Sequence, residues 1–497
     1  MTGTRRLLAR IAIAVAAVLV LWHGLAYWSL SNHALPDIAG LSPFHSADDS
    51  LDTITLDFVR RADKDQSLGL KSKLHYTRRC FTPIKESAIG RLDIEHIDTT
   101  LLATNPIAVK LRQRGPVTKE PCTTIPISML DPYPRATYHD LAFGMATTYS
   151  RLLDALDTIA HWASGSESLL VVLVEDFHPR GDDQMAALHD KYHARAINAV
   201  FIPPYAPEHS MTQSHFMVLS AMVDQTGPET KWFGLLDDDT FFPHLAPLSA
   251  TLGVHNHQRD MYVGAVTEHW GSLSEVGFMG FGGAGVYLSA HLARRLGTAE
   301  AARKCIDESK PEHSGDYIIM QCVWHHSNAR LTILPDLYQH DMVGSLRGFF
   351  ESGTQPLNLH HWKSWYHEPV LELAKTVRFC GECFLQRYTF GTDTVLSNGY
   401  SIGVYADGLA SLDLAAMERT FNNKFNVDDP TFDYTMGPTR ERLPDDKRKT
   451  YHLKYTEVVE SGEEEAGSFM RQLYVRKGSG EEEKDEPDEV VELVWRR

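Results

Sequence analysis

Between Leu141 and Leu236, short apolar runs alternate with amphipathic stretches at regular spacing. Leu141 to Thr147, Leu169 to Val174 (LLVVLV), Ala199 to Ile202 and Trp232 to Leu236 have the length and aliphatic character of buried strands. Tyr149 to Trp162, Met185 to His193 and Phe216 to Val223 read as the intervening helices. This order constrains the fold: strand and helix in alternation predict an α/β domain, a mostly parallel sheet with helices on both faces. Such sheets bind ligands at the carboxyl ends of their strands. Thr147, Thr148, Asp176 and Asp237–Asp239 all fall there. Met261 to Val266 reads as a further strand.

The fourth run ends in KWFGLLDDDTFFPH, Lys231 to His244. Three carboxylates at the mouth of a buried strand repel one another unless something positive joins them. A divalent cation is the natural partner. Oxygen ligands suit Mg2+ or Mn2+, and either ion holds a diphosphate. A solvated turn closing the strand is the bland alternative, and the apolar flanks argue against it.

Downstream, FMGFGGAGVYLS (Phe278 to Ser289) is a glycine-rich turn between apolar runs. Gly282 and Gly283 permit close backbone approach to a ligand, although a simple tight turn would look the same. Gly315-Asp316 precedes a helical run, Tyr317 to Trp324. Asp316 stands where a helix N-cap would, and an acid there can also face a cleft as a base. His360-His361 follows at a distance, and beside a carboxylate triplet either histidine becomes a plausible metal ligand. Trp270, Trp362 and Trp365 could stack on sugar rings, with core packing the plainer role.

The chain has 497 residues and a formal charge of −17, which argues against nucleic acid as a partner. Its N-terminus reads as a cytosolic tail (1–10), a transmembrane anchor (11–30) and a polar stem (31–52). Arg5, Arg6 and Arg10 precede the apolar run, so the remainder should cross the membrane. A cleaved signal peptide is the rival reading, but its apolar core is usually shorter. Residues 53–135 read as a small irregular region, 136–370 as the catalytic domain, and 371–455 as a small β-rich extension in which Tyr400 to Tyr405 alternates like a half-exposed strand. The acidic stretch 456–497 reads as a solvated, largely disordered tail. Six cysteines suit an oxidising compartment. Neighbour pairing is the economical arrangement: Cys80 with Cys122, Cys305 with Cys322, Cys380 with Cys383.

Five blocks occur in a telling order: Ala146-Thr147-Thr148 with Arg151, Trp232 to Phe242, Gly282-Gly283-Ala284-Gly285, Gly315-Asp316, and His360-His361. In this order the chain resembles the fringe-like glycosyltransferases, most closely their fungal membrane-anchored relatives. The resemblance covers about Phe143 to Trp365. It implies a GT-A nucleotide-sugar-binding fold, a UDP-sugar donor, a manganese ion and transfer with inversion at the sugar carbon. Residue by residue, it implies that Asp237-Asp238-Asp239 is the metal and diphosphate motif, with Asp239 the direct ligand. It implies that His360 or His361 is the distal metal ligand, that Thr147, Thr148 and Arg151 border the nucleotide, and that Asp316 is the base. Many relatives carry two acids in that last block, where this chain has Gly315 before Asp316.

Sugar transfer from UDP generates a diphosphate leaving group, whose charge a cation neutralises, and a base must take the acceptor's proton. The expectation is a Golgi type II glycosyltransferase that moves a hexose or N-acetylhexosamine to a glycan or glycoprotein acceptor. The linkage is left open, with β-1,3 among the candidates. The alternative is a catalytically inactive protein of the same fold that binds glycan or a protein partner. A metal-dependent phosphohydrolase would want a second ligand cluster, which the sequence does not offer.

Overall fold

A computed structural model describes residues 54–497 apart from 85–89, 91, 119–121, 178–181, 207, 311, 423–432, 461–466 and 480–485. The expected anchor lies outside the described residues. Among those described, no helix is long and apolar enough to cross a membrane.

The expected α/β layer is present. Its strands are β1 (Leu141–Thr147), β2 (Leu169–Val174), β3 (Ala199–Ile202), β4 (Trp232–Leu235), β5 (Tyr262–Gly264), β6 (Val286–Ser289) and β7 (Leu331–Ile333). They form one sheet in the order β7-β5-β6-β4-β1-β2-β3. All pairings are parallel except those of β6, which runs antiparallel to β4 and β5. Four helices matter for the site: α1 (Tyr149–Ala163), α2 (Asp182–His193), α3 (Met211–Gln225) and α4 (Gly315–His326). The order β1-α1-β2-α2-β3-α3-β4 is the one anticipated. Valines and leucines of β2 are buried on both sides, as a strand covered by helices must be.

The second layer departs from expectation. Among the described residues, 371–455 is not a separate small extension, 53–135 holds regular strands, and the strands of the tail do not lie in solvent. All three contribute to one ten-stranded sheet. Lys73–Pro83 pairs in parallel with Asp488–Arg496, which pairs in turn with Phe469–Arg476. The tail's charge disguised these last two strands. The Arg471 guanidinium meets the Glu492 carboxylate at 2.9 Å with both side chains buried, and Tyr76 donates to the same carboxylate. Charges that read as solvated are partners in the interior, among Leu493, Val494 and Trp495. The Glu463–Glu465 and Glu481–Glu483 runs lie outside the described residues. Ser401–Tyr405, expected to be half-exposed, is buried on nearly every position, because Thr394–Ser397 and Arg448–Val459 flank it.

The helix Val370–Cys380 packs against both Arg448–Val459 and α1, so one apolar core runs through both layers. All three disulfides take the neighbour pairing: Cys80–Cys122, Cys305–Cys322 and Cys380–Cys383. Cys305–Cys322 ties the helix Ala299–Glu308 to α4, which carries Asp316.

Candidate functional site

The acidic triplet leaves β4 in a tight loop. The Asp237 N–H donates to the Gly282 carbonyl at 3.1 Å, and Thr240 Oγ1 donates to the Gly282 and Gly283 carbonyls. The loop is also pinned to the histidine segment. Phe241 and Leu359 exchange both backbone hydrogen bonds, at 2.9 and 2.7 Å, and the Trp362 indole N–H donates to the Asp239 carbonyl at 2.8 Å. Trp362 therefore holds the backbone of the acidic loop and is not a free platform.

This bridge sets His360 among the acids. Its Nε2 lies 3.1 Å from Asp239 Oδ1 and 3.5 Å from Asp237 Oδ2. Its other nitrogen, Nδ1, is 2.7 Å from the Gln339 carbonyl oxygen and donates to it, which leaves Nε2 for the acids or a cation. The His361 ring lies against that of His360, with centroids 3.7 Å apart, and stacks on Trp365. Its Nε2 is 3.4 Å from Asp341 Oδ1. One ligand atom each from Asp239, His360 and His361 falls within 4.8 Å of the others. Both histidines thus stay in the candidate set, but it is His360 that also meets Asp237.

Burial pushes the Asp237 and Asp239 carboxyls up, but the His360 imidazole outweighs it and holds both below their ordinary value. Conversely, burial pulls His360 down, and the two carboxylates overcome this and raise it well above its ordinary value. Two carboxylates with imidazole nitrogen form a mixed oxygen and nitrogen set, which suits Mn2+ better than Mg2+ with its preference for oxygen. The residues fit a divalent cation of the kind the resemblance implies.

Asp238 points elsewhere. Arg151 grips its carboxylate through both Nε and Nη2, and Thr147 Oγ1 donates to it. Thr147 is buried, whereas the Arg151 side chain is 62% exposed. Thr148 is the N-cap of α1, and Asp176 Oδ1 accepts from the Tyr149 N–H at 2.8 Å. These two side chains are spent on the start of α1, at the carboxyl ends of β1 and β2.

Asp316 is not the cap of α4. Ser314 caps it, accepting from the Tyr317 N–H at 3.2 Å, and Asp316 stands in the first turn. There the helix N-terminus favours its charge. The glycine-rich turn brings this carboxylate to the acids. A β-carbon on Gly282 would fall 2.7 Å from Asp237 Oδ1 and 2.9 Å from Asp316 Oδ1. One on Gly283 would strike the His360 ring. These glycines exist because site side chains cross over them; their carbonyls are occupied by Thr240 and Asn358.

Sequence reading missed the supports. Gln339 fixes His360, and its side-chain Oε1 accepts from the Ala284 N–H. Glu268, fully buried, accepts from the Gln339 and Asp341 N–H groups at 3.2 and 2.9 Å. Burial, with Asp341 nearby, raises its carboxyl to about 8. His215 on α3 lies 3.3 Å from Asp316. No motif marks these residues, since each acts through a neighbour distant in sequence.

A family model described as Fringe-like matches residues 192–348, and one described as "Protein of unknown function, DUF604" matches residues 275–495. No curated protein matches the sequence. Among solved structures, the chain is similar to a mannosyltransferase from Pyrobaculum calidifontis in complex with GDP-Man and Mn2+ (12% identity, TM-score 0.29). That match covers 42% of this chain and 57% of the other. It is similar also to the glycosyltransferase GlyE of Streptococcus pneumoniae (14%, TM-score 0.33, covering 49% and 60%). A third is mouse xyloside xylosyltransferase 1 (14%, TM-score 0.26, covering 39% and 84%). The chain thus spans less than two thirds of the first two structures. The Fringe-like match reaches from the end of α2 past the acidic triplet, the glycine-rich turn and Asp316, so this part of the chain is similar to the Fringe-like family.

Proposed function

We propose that this protein is a metal-dependent, inverting glycosyltransferase that moves a hexose or N-acetylhexosamine from a UDP-sugar to a hydroxyl of a glycan or glycoprotein acceptor. The observation that supports it most is the convergence at Gly282. Carboxylates far apart in sequence, Asp237 from the acidic triplet and Asp316 from α4, reach toward one point above that glycine. Asp237, Asp239 and His360, with His361 beside them, would hold Mn2+, which supplies positive charge for the departing diphosphate. Thr147, Thr148, Arg151 and Asp176 border the nucleotide side. Asp316 takes the acceptor's proton as its oxygen attacks the sugar carbon and the bond to UDP breaks. Three disulfides, and the apolar run at 11–30, support a single-pass type II protein whose catalytic part is Golgi-lumenal.

The test is UDP release by the purified full-length protein with Mn2+ and a panel of UDP-sugars and glycan acceptors. Release is expected with one donor, and its loss in both Asp239→Ala and Asp316→Asn. Release that survives Asp239→Ala would remove the proposed metal role. A protein that binds glycan yet releases UDP from no donor would instead be the inactive, glycan-binding form of the fold.

A further inference from the structure

Asp316 has a neighbour that no motif announces. His215 sits in the second turn of α3, a helix fixed at its start by Ser210 and Gln213, which cap each other's backbone. Its Nε2 stands 3.3 Å from Asp316 Oδ1, with both side chains largely buried. Neither of these two buried atoms makes a hydrogen bond to any group among the described residues, and each faces the other only as an ion-pair partner. The approach depends on Gly315: a β-carbon there would fall 2.5 Å from His215 Cδ2 and 2.9 Å from its Cβ. The glycine lets α4 and the imidazole close on each other. Both groups also lean toward the point above Gly282 that Asp237 shares, where His215 Cε1 comes within 3.3 Å.

We infer that His215 is the positioning residue for Asp316. Its Nε2 faces Oδ1, holds the carboxylate's rotation by that ion pair, and leaves Oδ2 to take the acceptor's proton; Gly315 is the gap that admits the ring. The inference rests on the glycosyltransferase reading and adds to it a residue, a spacing requirement and a division of labour between the two carboxylate oxygens. The electrostatics agree with the geometry. Burial alone would pull the His215 imidazole down, but Asp316, with Asp237 behind it, raises it above its ordinary value. A proton on Nε2 is thereby favoured, as a donor to Asp316 requires. A histidine that merely packed beneath α4 would have no need of a carboxylate in reach or of a glycine opposite its ring.

The experiment compares full-length wild type with His215→Leu, His215→Gln, Gly315→Ala and the Gly315→Ala, His215→Leu double variant, in Mn2+ with the active donor. His215→Leu should lower kcat about 10- to 100-fold while the donor KM stays within about twofold. His215→Gln, which keeps an N–H near the same point, should recover part of that loss. Gly315→Ala should lower kcat in the wild type and change nothing further once residue 215 is leucine, since both act through the same ring. A His215→Leu kcat within about twofold of wild type, or losses that multiply in the double variant, overturns the inference and leaves the transferase reading standing. If wild type releases UDP from no donor, that reading fails, and nitrogen-15 NMR of the His215 ring decides the pair by itself. Its Nε2 signal should move on Asp316→Asn, and an unmoved signal overturns the pairing.

Discussion

The imidazole of His360 occupies the place where a β-carbon on Gly283 would stand: that atom would fall 2.1 Å from Cε1 and 2.2 Å from Nδ1. The glycine is thus part of the proposed metal site without offering a ligand. Gly283→Ala must displace the ring from Asp237, Asp239 and Gln339 together. Mn2+ affinity should fall about 10- to 100-fold, comparable to His360→Ala, by isothermal titration calorimetry. Unchanged affinity would show that His360 does not hold the ion.

The three aspartates divide their work. Asp237 and Asp239 face His360, and Asp238 faces Arg151 and Thr147. Asp237→Ala and Asp239→Ala should abolish measurable Mn2+ binding. Asp238→Ala should leave it within a few-fold and cost at most about 1 kcal/mol of stability, because its ion pair is open to water on the Arg151 side. Equal metal losses in all three variants would contradict the split.

Metal binding should be proton-linked. In the metal-free protein the His360 pKa is raised above its unfolded value by the two acids. The stability this adds is complete below about pH 6.5 and is lost as pH rises through the raised folded value. An incoming cation must displace that proton, so Mn2+ affinity should rise with pH over the same window, by up to about tenfold per unit. Calorimetry in two buffers of different ionisation enthalpy counts the released proton. Affinity that is flat from pH 6 to 8 would argue against the linkage.

The C-terminal strand should matter to folding. Glu492 is shared by Arg471 and Tyr76, with the Arg78 guanidinium 3.5 Å away, all inside the ten-stranded sheet. Glu492→Ala removes the counter-charge of two buried cations and should cost about 3–5 kcal/mol. A lowered urea midpoint at unchanged slope is the expected readout. A solvated tail would show no change.

Several elements were legible because local pattern and burial agree there. The runs at Leu141 and Leu169 became strands with the ends read from sequence, since strands buried on both faces must be continuously apolar, and the half-buried edge strand at Ala199 did so too. The acidic triplet was legible for the opposite reason: charge directly after such a run needs an explanation. Asp316 was legible as a candidate base, while the cap position beside which it stands belongs to Ser314, whose hydroxyl the first turn uses. The last strands were misread because their charges, counted along the chain, outnumber the clues. Only pairing with Lys73–Pro83, some four hundred residues away, makes Arg471 and Glu492 interior groups.

By itself the sequence determined the alternation of strand and helix and the carboxylates at the strand end, since each follows from residues close along the chain. The tertiary structure alone decided that His360 stands between Asp237 and Asp239, that Gly282 lies under Asp237 and Asp316 together, and that His215 reaches Asp316 through the gap at Gly315. Those facts depend on which loops a sheet's topology brings to one edge. That is a property of long-range packing, and no local periodicity encodes it.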